Sequence, residues 1–167
     1  MIVSEDISQI VDSARVILDR MPRVYGECLY ISALFVAMIN DNTKLDAKLV
    51  VGSLVVQDEI IFNHSDIASA ISPSGDILRN WGGHAWVSIS GTIYDFSIFR
   101  AIHSKYKPEV ISNILNILNL FDETSYLIYD SDELKKIGVV YKQYEELTDS
   151  DILLLLQSAE RLDLINN

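Results

Sequence analysis

GGHAWVSISGTIYDFS, residues 82–97, reads as a β-hairpin. Two runs rich in β-branched and aromatic residues, His84–Ile89 and Thr92–Phe99, flank Ser90-Gly91. A Ser-Gly pair between such runs marks a two-residue turn. That loop length sets the register: Ile89 pairs with Thr92, Trp86 with Asp95 and His84 with Ser97. Side chains alternate along strands, so His84, Trp86 and Asp95 share one face. His84 and Asp95 become diagonal neighbours, with α-carbons about 7–8 Å apart. A three-residue loop would put them on opposite faces. A Gly91-Thr92 loop would keep parity but move Asp95 opposite Ser88, too far along the strand.

Ile7, Ile10, Val11, Ala14, Ile17 and Leu18 recur at helical spacing, which predicts a helix over 5–20 ended by Met21-Pro22. A second helix runs from near Gly26 to Asn40 and is apolar nearly all round, so it belongs inside the core. Leu49–Val51, Leu54–Val56 and Ile60–Phe62 together predict one or two strands of a sheet, bent at Gly52. Residues 63–83 form a long polar connection with a short helix near Asp66–Ile71, and connections of that length are more often functional than decorative. Pro108 opens a helix through Leu120; Tyr126–Tyr129 and Val139–Tyr144 are strand candidates. Thr148 and Asp151 have capping-box spacing ahead of a last helix to about Leu162. The expected fold is α+β: one domain over 1–167, with a helical N-terminal layer, a central helix packed on an antiparallel sheet, and extra C-terminal helices.

The chain has 167 residues, 49% hydrophobic and 22% charged, with a net charge of −11. That argues for a globular protein and against nucleic acid as a partner. No disulfide can form within a chain holding one cysteine. MIVSEDISQI lacks the basic start and apolar run of a signal peptide, and the apolar run Leu29–Ile39 is too short to span a bilayer. A cytoplasmic protein without membrane association is expected.

The lone cysteine lies in GECLYIS, residues 26–32. A free cysteine packs as a small hydrophobe unless partners activate it. Cys28 falls in the first turn of the apolar helix, where unpaired N–H groups favour an anion and can hold an oxyanion. Of the three histidines, His64 and His103 read as solvated loop residues. His84 opens a strand after two glycines, which gives its ring a fixed direction. Asp95, on the same face, supplies a carboxylate to orient it. Trp86 reads as core, with substrate contact as its other reading. One cysteine and scattered histidines lack metal-ligand spacing, so no metal or cofactor is expected.

Tyr25-Gly26-Glu27-Cys28-Leu29 resembles the G-x-C segment at the nucleophile of transglutaminase-like cysteine enzymes. Gly83-His84-Ala85-Trp86-Val87 resembles their H-x-W strand, and Tyr94-Asp95-Phe96-Ser97 their aspartate followed two residues later by Ser or Thr. The resemblance covers about residues 24–99. It implies a papain-like triad with Cys28 as nucleophile, His84 as base and acid, and Asp95 as orienting carboxylate. The implied reaction is acyl transfer through a thioester on a peptide or glutamine amide. Water as acceptor makes the chain a cysteine peptidase or deamidase; an amine makes it a transglutaminase. Compact size and the H-A-W-V-x-x-x-G run look most like bacterial stand-alone members, among them leader peptidases of lasso-peptide biosynthesis. The family uses a second oxyanion donor, for which Tyr25 and Trp81 are the candidates; Trp81 is also expected at the cleft edge. The expected partner is a peptide or protein substrate, and oligomeric state is left open. The competing reading is a catalytically silent module of the same fold that binds a protein partner.

Overall fold

The structure, a computed structural model, describes residues 5–79, 81–105, 112, 113, 116 and 126–165. Helix α1, Glu5–Arg20, buries Ile10, Val11 and Ala14 and stops ahead of Met21-Pro22. Helix α2, Glu27–Asn42, starts after Gly26, whose left-handed backbone (φ 72°) turns the chain into the helix. Cys28, Leu29, Ile31, Ala33, Phe35, Val36 and Ile39 are all buried, because α2 is packed by α1, the sheet and the last helix. Its apolar composition on every side follows from that central place.

Strand β1, Lys48–Val56, is a single nine-residue strand that runs through Gly52-Ser53. It is buried from Leu49 to Leu54 because it is central. Strand β6, Val139–Glu146, pairs along one of its edges from Val50 to Val56. Along the opposite edge, strand β3 (His84–Ile89) pairs with the Lys48–Gly52 half and strand β2 (Glu59–Phe62) with the Leu54–Val56 half. Strands β4 (Thr92–Asp95) and β5 (Leu127–Asp130) complete a six-stranded sheet in which every pairing is antiparallel. The β3–β4 register is Val87↔Tyr94, Ser88↔Ile93 and Ile89↔Thr92, as the two-residue loop requires. Ser90 and Gly91 both have positive φ, the signature of a primed hairpin turn.

Helices cover both faces. Leu49, Val51, Ala85, Val87 and Tyr94 pack towards α1, α2 and helix α5 (Asp149–Arg161). Val50, Leu54, Trp86, Ile93 and Tyr141 pack on the other face with helix α3 (Ile98–Lys105) and helix α4 (Ser131–Lys136). The fold is therefore α+β, with the Cys28-bearing helix packed on an antiparallel sheet. Among the described residues no helix is long and apolar enough to cross a membrane.

Three details differ from expectation. The strand expected to reach Phe99 stops at Asp95 and gives way to α3. The reason is local: Asp95 Oδ1 accepts the backbone N–H groups of Ser97 and Ile98, the pattern of a helix N-cap. Second, the short helix near Asp66–Ile71 is a 3₁₀ turn, Ile67–Ser69, capped by the Asp66 side chain. Third, α4 follows directly from Asp130, whose side chain caps the N–H groups of Asp132 and Glu133. The helix expected over Pro108–Leu120 lies largely outside the described residues. Thr148 and Asp151 do form a reciprocal capping box at the start of α5. Thr148→Ala should cost about 1 kcal/mol, a fall in thermal midpoint of about 2–4 °C measurable by calorimetry; an unchanged midpoint would mean that α5 does not depend on its cap.

Candidate active site

Cys28 is the second residue of α2 and is 5% exposed. Its backbone N–H has no hydrogen-bond partner among the described residues, as expected in the first turn of a helix. It lines a cleft of about 470 Å³ with Arg23, Tyr25, Phe62, Trp81 and His84. His84 is the first residue of β3. It therefore sits where the sheet ends and the start of α2 can reach it.

The imidazole of His84 is wholly buried, and its Nε2 lies 2.6 Å from Asp95 Oδ2. The diagonal placement on one face brings these two together. Phe62 stacks on the other side of the ring at 4.6 Å between centroids, reaching it because β2 and β3 share one edge of β1. The aspartate is saturated. Its Oδ2 also accepts from the Tyr141 hydroxyl at 2.9 Å, and its Oδ1 accepts from Ser97 N–H, Ser97 Oγ and Ile98 N–H. A carboxylate with so many donors is fixed in position. Burial pulls the His84 pKa down, but the charge and hydrogen bond of Asp95, with the neighbouring Cys28 sulfur, raise it from 6.5 to about 10. Burial and the Asp95 charge push the Tyr141 phenol well above its usual value, so it remains a donor. Asp95 thus fixes the imidazole proton on Nε2. Nδ1, on the opposite side of the ring, makes no hydrogen bond within the described residues. It is the ring atom left for Cys28.

Tyr141 was not legible as part of this group. It comes from β6, remote in sequence, and only the β1–β6 pairing brings it under His84. Tyr141→Phe should cost about 1.5–3 kcal/mol, the scale of a hydrogen bond to a charged group. Urea denaturation would measure it, and a loss below about 0.5 kcal/mol would show that the other donors suffice for Asp95.

The remaining candidates divide. Tyr25 and Trp81 line the cleft, but neither side chain has a proton to spare for an oxyanion. The Tyr25 hydroxyl donates to the Trp81 carbonyl, and the Trp81 indole N–H donates to His64 Nδ1 at 3.1 Å. Burial, and after it the charge of Cys28, push the Tyr25 phenol up. Trp86 does not line the cleft. It is 2% exposed and packs edge-on to Tyr141 at 5.0 Å, one strand position deeper than His84. The structure thus places Trp86 in the core.

His64 is a second correction. It is no solvated loop residue: its side chain is 1% exposed, with Nε2 3.3 Å from Glu145 Oε2. Glu145, His64, Trp81 and Tyr25 thus form a chain of polar contacts that holds one wall of the cleft. Gly83 is part of that fit, because a Cβ there would lie 2.6 Å from the Trp81 ring and 2.9 Å from His64 Nδ1. The side chain of His103 lies outside the described residues. Among the described residues no group of His, Cys, Asp and Glu is placed to hold a metal.

Glu27, next to Cys28, is buried and pairs with Arg100 at 3.0 Å. Arg100 also donates to the carbonyls of Leu18 and Met21. One guanidinium from α3 therefore ties the end of α1 to the start of α2. Burial raises the Glu27 pKa, against the pull of Arg100 and Arg23.

A scan against family models finds no match for this chain, and neither does a search of curated proteins or of solved structures.

Proposed function

We propose that the chain is a thiol-dependent acyl-transfer enzyme of the transglutaminase-like, papain-like type, acting hydrolytically on a peptide or glutamine amide. The observation that carries this reading is the orientation of His84. Its Nε2 is bound to a saturated carboxylate, and its Nδ1 is buried without a hydrogen-bond partner in a residue that lines the same cleft as Cys28 at a helix start.

The chemistry follows from that orientation. Below its pKa of about 10 His84 is the imidazolium, so in the proposed reaction Nδ1 already carries the proton taken from Cys28, and the thiolate sulfur attacks the amide carbonyl carbon. The Cys28 N–H stabilises the oxyanion. His84 returns the proton to the leaving nitrogen, the C–N bond breaks, and a thioester remains. Water then loses a proton to His84 and attacks the thioester, which releases the acid and restores the thiol. An amine in place of water gives transamidation. The order Cys28, His84, Asp95, with the last two on one hairpin, supports the family assignment. An unpaired thiol suits a reducing compartment, and a cytoplasmic site of action is part of the proposal.

A specific observation favours the alternative, a silent module that binds a protein partner: Cys28 is only 5% exposed. Alkylation separates the two. Cys28 should react with iodoacetamide at pH 6 far faster than a free thiol, and His84→Ala should abolish the difference. Labelling no faster than that of a free thiol would favour the silent module. Trapping a Cys28 acyl adduct from a lysate, with mass spectrometry of the acyl group, would identify the donor.

A further inference from the structure

A second concavity of about 320 Å³ adjoins the Cys28 cleft, and the two meet at Val24-Tyr25. Its apolar walls include Ile77 and Leu162, and its charged residues are Asp76, Arg79 and Arg161. Asp76 is already satisfied: it accepts from Ser158 Oγ at 2.8 Å and pairs with Arg161. Its carboxyl is held below the usual range by its hydrogen bonds with Ser158 and Ser74 and by Arg161. Arg79 has no hydrogen bond or ion pair among the described residues and is exposed. The concavity therefore carries one unmatched positive charge, although the chain as a whole has 24 carboxylates against 13 basic residues. A cation left unmatched at the rim of an apolar hollow selects for an anionic group that reaches the hollow from the neighbouring cleft.

We propose that this concavity is a specificity subsite for an acidic side chain of a peptide whose reacting amide lies at Cys28, with Arg79 as the selecting residue. The assignment rests on the acyl-transfer reading for the position of the amide. Aliphatic walls beside the arginine fit the methylene stem of a glutamate, and the net charge of −11 disfavours a polyanion such as nucleic acid.

The test uses binding, so it does not require turnover. Labelled peptide pools that differ only in carrying Glu, Gln or Lys beside a central amide are titrated against Cys28→Ala by fluorescence anisotropy. The Glu pool should bind tightest, and added salt should erode its advantage. Arg79→Ala should weaken the Glu pool about three- to fivefold, the scale of an exposed ion pair, and leave the Gln pool unchanged. Arg79→Glu should reverse the order in favour of Lys. Both substitutions are at an exposed position, so folding is not at stake. Equal binding of the three pools, or an order that Arg79→Glu does not reverse, would overturn the subsite. An oligonucleotide that displaces the Glu pool as well as unlabelled Glu peptide does would overturn it too. Failure of the wild-type chain to form an acyl adduct with a bound Glu peptide would instead overturn the acyl-transfer reading and leave the charge selection standing.

Discussion

Asp95→Asn should destabilise the chain by about 3–5 kcal/mol at pH 6, because it strips a buried imidazolium of its partner. The same change leaves the donors of Tyr141, Ser97 and Ile98 facing an amide that can accept through one oxygen only. The pH dependence identifies the cause. The folded-state pKa of His84, about 10, lies above its unfolded value of 6.5. The stability that protonated His84 contributes is therefore fully present below pH 6.5 and is lost as pH rises towards 10, at up to about 1.4 kcal/mol per pH unit. Asparagine supplies no charge to hold the proton, so the variant lacks this dependence. The stability gap between the two proteins should be widest below pH 6.5 and close towards pH 10. Urea titrations across that range read it directly. A gap of constant size would mean that Asp95 acts only through its hydrogen bonds. In the proposed reaction the same substitution removes the group that fixes the tautomer, and thiol alkylation at pH 6 should slow by about 10²-fold or more.

Gly52→Ala is expected to be at least as damaging. A Cβ at residue 52 would lie 1.9 Å from the Lys142 carbonyl oxygen and 2.9 Å from the Trp86 ring. The first obstacle is backbone in a paired strand and cannot swing aside. The β1–β6 register also shifts between Val51 and Gly52, so the close approach belongs to a bulge in the centre of the sheet. A loss of about 4 kcal/mol or more follows, enough to leave much of the chain unfolded at growth temperature. Calorimetry and the yield of folded protein would show it. A variant that melts within about 2 °C of the parent would mean that β6 can give way at the bulge.

How much of this was legible depended on sequence distance. α1, α2, α5 and the hairpin follow from periodicity, a capping box and a turn pair, all local signals. The hairpin register was the productive local inference, since loop length alone put His84 and Asp95 on one face. The end of β4 was misjudged because Phe96, Ile98 and Phe99 continue an apolar, β-like pattern, while the helix that starts there depends on the Asp95 side chain. His64 read as a loop residue because polar neighbours surround it in sequence; Trp81 and Glu145 bury it in space. Tyr141 and Arg100 were invisible for the same reason. Each contributes to the Cys28 region through a partner far along the chain, and no spacing rule reports on such a contact. The donor candidates Tyr25 and Trp81 were placed at the cleft, but only the structure shows where their protons already go.

The pairing of β6 with β1 bears on when the molecule becomes competent. Cys28 and its helix belong to the first quarter of the chain, whereas Tyr141 and Glu145 arrive on the last strand. Until that strand docks, Asp95 lacks one donor and the His64 wall lacks its carboxylate. Contacts of such long range form late in folding, after the local helices and hairpins. A chain that already has Cys28 and the complete hairpin but not β6 therefore still lacks the Tyr141 donor to Asp95. In the proposed reaction the thiol gains its complete base only when β6 closes the sheet.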